Sequence, residues 1–206
     1  MTSAAAWLAL SYLLGAIPTS YLVARVGKGI DLREHGSRNL GATNLYRLLG
    51  WKYAVPVGLF DAAKGAIPVW LVGSRVPEMS LLPLFCGVAA VVGHVFSVFV
   101  GFKGGKGVAT ASGVVLALAP WALLAVLAVW AAVVWLTGYV SLGSVLSAAL
   151  FPVAAYFLDQ GSRGPVLAVE IALATFIIWK HRANLRRLAA GTENRFGRRE
   201  PAGRAP

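Results

Sequence analysis

Charge is what this 206-residue chain has least of. Charged residues make up 13% of it and hydrophobic residues 58%, too little polar material to cover a water-soluble globule of this size. The scarcity is concentrated: residues 1–24 and 107–158 carry no charge, and 79–102 carry none beyond a possible His94 proton. Such runs cross a hydrocarbon core about 30 Å thick as helices. Acidic residues are the rarer sign, 8 against 19 Lys and Arg, for a net charge of +11. The basic residues sit beside apolar runs, where anionic headgroups and the positive-inside bias account for them, so nucleic acid is not expected as a partner. One cysteine, Cys86, excludes an internal disulfide. The three histidines join no Cys or carboxylate cluster at ligand spacing, so no metal is expected. No Lys or Arg precedes the first apolar run, which is longer than a signal-peptide core and is read as a retained crossing.

What is present is a series of apolar runs cut by basic turns. With the positive residues inside, the N-terminus lies outside and the first crossing delivers Arg25, Lys28, Arg33, Arg38 and Arg47 to the cytoplasm. A second span over about 53–73 leads to an outside loop at Arg75, and a third, over 79–102, returns Lys103 and Lys106 inside. The final run, 164–179, precedes a basic tail, so three crossings must fit within 107–158. Pro120 and Gly138 are the natural breaks. The first piece, 107–119, reaches only about 20 Å at a helical rise of 1.5 Å per residue; a kinked or re-entrant segment is its alternative. The expected fold is an all-α polytopic membrane protein with seven transmembrane helices, one of them short, N-terminus outside and C-terminus cytoplasmic. Residues 1–196 form a single domain, and 197–206 a basic, flexible tail.

This topology brings three polar segments to one face: "DLREHGSRNLGATNLYR" (31–47), "FKGGKG" (102–107) and "KHRANLRRLAAGTEN" (180–194), joined by the turn "TGYVSLGS" (137–144), which offers Ser141. The second segment departs from a nucleotide P-loop, since Gly101 stands three residues, not four, before the Gly-Lys pair and Gly107 replaces Ser or Thr. Its physics still suits phosphate. Gly104, Gly105 and Gly107 permit close backbone approach at the start of a helix near Val108, and Lys106 adds full positive charge. Headgroup anchoring is the plainer reading, but it requires no glycine.

Ser37, Asn39, Thr43 and Asn44 can cap a helix beginning near Asn44 or face a ligand, and Arg47 suits a phosphate dianion through paired hydrogen bonds. His181 and Asn184, three apart, share a helix face. His181 serves either as a base or as a cap on the last span's carbonyls. Glu193 is expected to pair with a nearby Arg. Asp61 and Lys64, at i and i+3 within the second span, either support the site or lock helix packing, and Glu170 poses the same question. His94 reads as a hydrogen-bonded helix side chain.

Taken in order, "GSRNLGATN" with Arg47, "GHVFSVFVGFKGGKGVAT" and "HRANLRRLAAGTEN" resemble the acyl-phosphate-dependent glycerol-3-phosphate acyltransferases of bacterial membranes, over nearly the whole chain. The resemblance implies a seven-helix inner-membrane enzyme with a cytoplasmic site and no cofactor. Such an enzyme moves a fatty acyl group from a long-chain acyl phosphate to the primary hydroxyl of glycerol 3-phosphate, giving lysophosphatidic acid and phosphate, the first step of phospholipid synthesis. It implies important roles for Ser37, Asn39 and Arg47, a phosphate-binding loop containing Lys106, a polar pair in His181 and Asn184, and a structural Glu193. Membrane lipids are the remaining partner, and no obligate protein partner is inferred. The expected catalytic set is Ser37, Lys106, His181 and Asn184. Asn39, Asn44, Arg47, Gly104, Gly105, Gly107 and Ser141 are expected on substrate, with Asp61, Lys64 and Glu193 in support. One departure stands out: Arg38 occupies a position where the family pattern has Gly, so a positive φ there would be strained. A phosphate-ester transporter is the rival class, but the chain has no convincing internal repeat and its polar residues gather at one face.

Overall fold

The computed structural model describes residues 3–159 and 161–196; the tail expected to be flexible lies outside them. All regular structure among these residues is helical. The first apolar run has the length and apolarity of one span, as expected, but it is interrupted, forming α1 (Ala4–Ala16) and α2 (Thr19–Lys28). Pro18 causes the break: it lacks an N–H and drives Ile17 to an extended ψ of 114°. The carbonyls beside the break are taken by side chains far along the chain. Ser97 Oγ donates to Ala16, and Lys64 Nζ donates to Ile17 at 2.9 Å.

A short amphipathic helix, α3 (Ala42–Leu49), lies at the end of the bundle and turns through Gly50 into α4 (Trp51–Arg75). α5 (Leu82–Val95) and the 3-10 turn Val98–Val100 precede α6 (Val108–Leu118). α7 (Pro120–Thr137), α8 (Val140–Leu158), α9 (Gly164–Lys180) and α10 (Arg182–Ala189) follow. The breaks at Pro120 and Gly138 fall where the sequence places them: Pro120 opens α7, and Gly138, at φ 74°, ends it. Among the described residues, five spans have the length and apolarity to cross a membrane, six if α9 and α10, bent by 52°, act as one. α6, with 11 residues, covers about half of a hydrocarbon core.

The helices pack in two groups. α1, α4, α5 and α6 form one, and α7, α8 and α9 the other, with α6 and α7 joined through Ala119. The first group is tight because backbones touch. A Cβ on Gly65 would strike the Thr110 carbonyl, and one on Gly113 the Ala62 carbonyl, so only glycine lets α4 and α6 approach so closely. On one side α9 closes onto the first group, its Leu173 and Ile177 clustering with Val69, Val91, Ala111 and Val114. Between the groups lies a cavity of about 580 Å³.

Candidate active site

The glycine loop owes its path to α5. Gly101 and Phe102, at φ 63° and 61°, turn the chain back along the last turn of that helix. Gly104 N–H donates to the Val95 carbonyl and Gly105 N–H to the His94 carbonyl, each at 3.1 Å. A Cβ at Gly104 would meet the His94 carbonyl, and one at Gly105 the His94 ring. The close approach expected of these glycines is real, but it is made to α5. Their amides are committed there, which corrects the expectation that they donate to phosphate. Donors remain one residue further on. Gly107, at φ 83°, caps α6, whose first ladder bond runs from Ala111 N–H to the Gly107 carbonyl. The amides of Val108, Ala109 and Thr110 precede the helical ladder, and Lys106, Gly107, Val108 and Ala109 line the cavity.

Lys106 is half-buried, and among the described residues no hydrogen bond or ion pair holds its ammonium. Burial lowers its pKa from 10.5 to about 8; Glu193 opposes this, while Arg187, Arg47 and Lys180 reinforce it. A cation so placed gains from any dianion that enters.

Glu193 organises the opposite wall. α9 ends at Lys180, His181 forms the bend, and Gly191, at φ 68°, reverses the chain after α10 so that Glu193 returns to the interior. Its Oε1 accepts from Asn184 Nδ2 at 2.6 Å and from Ser141 Oγ at 2.8 Å, and its Oε2 from Arg187 Nε at 2.7 Å. Burial alone would raise the Glu193 carboxyl; the three hydrogen bonds and the Arg187 charge outweigh it and hold the pKa below the ordinary value. Ser141, expected on substrate, and Asn184, expected in the catalytic set, both line the cavity, and each donates a hydrogen bond to Glu193. His181 Nδ1 lies 2.8 Å from the Ile177 carbonyl. A carbonyl only accepts, so Nδ1 carries the hydrogen and the neutral ring keeps its lone pair on Nε2.

The third wall is the loop before α3. Buried Asn44 accepts from Ser37 N–H at 2.9 Å and donates to the His35 and Leu32 carbonyls at 3.1 and 3.4 Å. It shapes the loop with the groups expected to bind substrate. Ser37 and Asn39, half-buried, line the cavity. Arg38 is exposed at φ 57°, so the left-handed strain inferred from the sequence is present, at a cost of about 1–2 kcal/mol. Arg47 Nη2 donates to the Asn194 carbonyl at 3.3 Å, Tyr46 stacks on Phe196 with ring centroids 4.5 Å apart, and Phe196 N–H donates to the Gly138 carbonyl at 2.6 Å. Residues 192–196 thereby strap α3 to the α7–α8 turn, a role no local sequence pattern signals.

Asp61 and His94 lie on the same cavity wall, with Lys64 paired to Asp61 at 2.8 Å. Beyond them the lining turns apolar: Leu116, Leu123, Leu127, Trp130, Phe151 and Leu173 form a groove between the two helix groups. Leu59, Leu116 and Leu127 line it while remaining exposed, so the groove opens sideways toward lipid. No group of three metal-ligating side chains occurs among the described residues. The site thus joins a cationic, donor-rich end to a lipid-accessible apolar groove.

Residues 5–191 match the family model for glycerol-3-phosphate acyltransferase. The glycerol-3-phosphate acyltransferase of Trichlorobacter lovleyi is 46% identical, covering 95% of this chain and 99% of that protein. That of Geobacter sulfurreducens is 45% identical over 91% and 95%. The crystal structure of PlsY, an integral membrane glycerol 3-phosphate acyltransferase, in its glycerol 3-phosphate form superposes with a TM-score of 0.88 at 41% identity, covering 94% of this chain and 96% of that one. The lysophosphatidic acid form gives 0.85 at 40% identity. With the matched span taking in Ser37, Lys106, His181 and Asn184, the chain belongs to the glycerol-3-phosphate acyltransferase family of integral membrane enzymes.

Proposed function

We propose that the protein transfers a fatty acyl group from a long-chain acyl phosphate to the primary hydroxyl of glycerol 3-phosphate, releasing lysophosphatidic acid and inorganic phosphate. The observation that carries this reading is the continuity of one cavity, polar at Lys106 and apolar from Leu116 to Phe151. A polar acceptor and an amphiphilic donor are brought together there without either being fully removed from its own solvent. The glycerol 3-phosphate dianion sits against Lys106, Arg47 and the first amides of α6, and the acyl chain enters the groove from the lipid side.

An acyl phosphate is a mixed anhydride, already activated, so catalysis consists chiefly of orientation and charge stabilisation. The primary hydroxyl attacks the acyl carbon, the bond from that carbon to the phosphate oxygen breaks, and the hydroxyl proton passes to the departing phosphate. Ser37 and Asn39 orient oxygens through hydrogen bonds. His181 Nε2 is the alternative proton acceptor, but no described carboxylate hydrogen-bonds its ring. His181→Asn therefore keeps measurable turnover; a loss as deep as that of Lys106→Ala assigns the base to His181 instead.

In the membrane the chain makes seven crossings, counting α6 and α9, with the N-terminus outside. Lys28, Arg47, Lys106 and Arg187 share the cytoplasmic side with the site, as the positive-inside bias requires. The test uses purified protein in lipid mesophase with glycerol 3-phosphate, EDTA, and either palmitoyl phosphate or palmitoyl-CoA, following lysophosphatidic acid and phosphate. Product from the acyl phosphate alone supports the reading; product from the thioester alone overturns the donor assignment.

A further inference from the structure

Charges inside a membrane protein are costly, and a neutral pair of similar volume packs two helices as well as an ion pair does. Asp61 and Lys64 are nevertheless almost completely buried in α4, at 1% exposure each. Their contacts extend well beyond α4. Lys64 Nζ forms an ion pair with Asp61 Oδ1, at 2.8 Å, and donates a hydrogen bond to the Ile17 carbonyl left outside the ladder by the Pro18 break. Asp61 Oδ1 lies 3.9 Å from His94 Nδ1, beyond hydrogen-bond length, so a neutral ring meets the carboxylate only through its dipole. His94 in turn holds the glycine loop in two ways: its carbonyl accepts from Gly105 N–H at 3.1 Å, and its ring packs directly against the Gly105 backbone. Lys106 is the next residue. The glycine-mediated contact of α4 with α6 fixes this cluster beside the helix that Gly107 opens.

We infer that Asp61, Lys64 and His94 are positioning residues that fix the Gly105–Lys106 backbone, and through it set the affinity for the substrate's phosphate. This rests on the reading that Lys106 holds the phosphate of glycerol 3-phosphate. Asp61 and His94 border the cavity, and the role assigned to them is exerted through the loop. The Ile17 carbonyl anchors Lys64, Lys64 neutralises and orients Asp61, Asp61 favours one setting of the His94 ring, and that ring forms the surface against which Gly105 rests. Loosening any link displaces Lys106 relative to the α6 amides, and displacement on the ångström scale weakens a site built on geometry. Binding of the acyl donor, whose chain lies along the α6–α7–α8 groove, is left in place.

The experiment compares His94→Gln, Asp61→Asn and the double variant Asp61→Asn/Lys64→Met with Lys106→Ala, measuring kcat, KM for each substrate and Tm. The double variant removes both charges, so it leaves no unpaired Lys64 to unfold the protein. The expected result is a rise of about tenfold in KM for glycerol 3-phosphate in His94→Gln and in the double variant, with KM for acyl phosphate within about twofold. A role in packing alone lowers Tm and leaves this ratio unmoved, and that outcome overturns the inference. If Lys106→Ala raises KM for glycerol 3-phosphate while the cluster variants do not, positioning fails and the phosphate reading survives. If Lys106→Ala leaves KM and kcat unchanged, both fall.

Discussion

The two ends of the α7–α8 hairpin both bury carboxylates, and they use them differently. At the end where α7 begins, Asp159 accepts from Ala122 N–H at 2.8 Å and Trp121 N–H at 3.4 Å, capping the helix, and Glu170 accepts from Ser162 Oγ at 2.9 Å. Neither acid reaches the cavity. At the other end Glu193 also accepts three hydrogen bonds, but it lies on the cavity wall together with Lys106 and Arg47. Burial and hydrogen bonding of an acid do not by themselves mark a site. The distinction is an excess of cations around a carboxylate that faces open volume: one end completes a fold, and the other leaves positive charge available to an anion.

The strongest way to break this contrast is Lys106→Ala, expected to lower turnover by about 100-fold or more while Tm changes little, since among the described residues the ammonium has no partner to lose. Glu193→Gln follows, with a loss of about 2 kcal/mol in stability and about tenfold in kcat/KM, measured by thermal unfolding and initial rates. The loss is smaller than for a fully buried ion pair because Arg187 is 41% exposed. The Glu193 carboxyl is depressed in the fold, so its stabilisation is present above the ordinary carboxylate range and fades as pH falls through and below it.

A milder effect is titration. Lys106, lowered to about 8, carries its charge below that pH and loses it above, so KM for glycerol 3-phosphate should rise as pH passes about 8. The step should vanish in Lys106→Arg, whose charge persists. Asp159→Asn sharpens the contrast from the other end: about 1 kcal/mol of stability is lost with the helix cap, and both KM values are unchanged. The smallest effect is expected of Arg38→Gly, which relieves left-handed strain, raises stability by about 1 kcal/mol and leaves the kinetics as they were.

Some of this was legible in the sequence because it depends on residues that admit few conformations. Pro120 and Gly138 divide the long uncharged stretch because one cannot continue a helix and the other tolerates its left-handed end. The strain at Arg38 was legible only through the family resemblance, whose pattern has Gly at that position. Pro18 was not, because a proline within an apolar run is compatible with a kinked helix, and the groups that satisfy its neighbours come from Lys64 and Ser97, far along the chain. Glycine next to lysine correctly announced a close backbone approach at Gly104 and Gly105, but not that α5 would be the group approached. Asn44, Ser141 and Asn184 are the residue types that bind phosphate esters, and equally those that bind loops and carboxylates; only tertiary contacts separate the two. The apolar groove was hidden for a different reason. Where nearly every residue of α7 is apolar, no periodicity distinguishes Leu127 and Trp130 from lipid-facing neighbours.

The most direct test of the account is the structure of the protein with glycerol 3-phosphate and a non-hydrolysable acyl phosphonate bound together. The account predicts the glycerol phosphate within hydrogen-bond distance of Lys106 Nζ and the first amides of α6, its primary hydroxyl facing the acyl carbonyl, and the chain lying along Leu116, Leu127 and Phe151. A phosphate held instead by exposed Lys103 and Arg38, or a chain lying outside the groove, would contradict it.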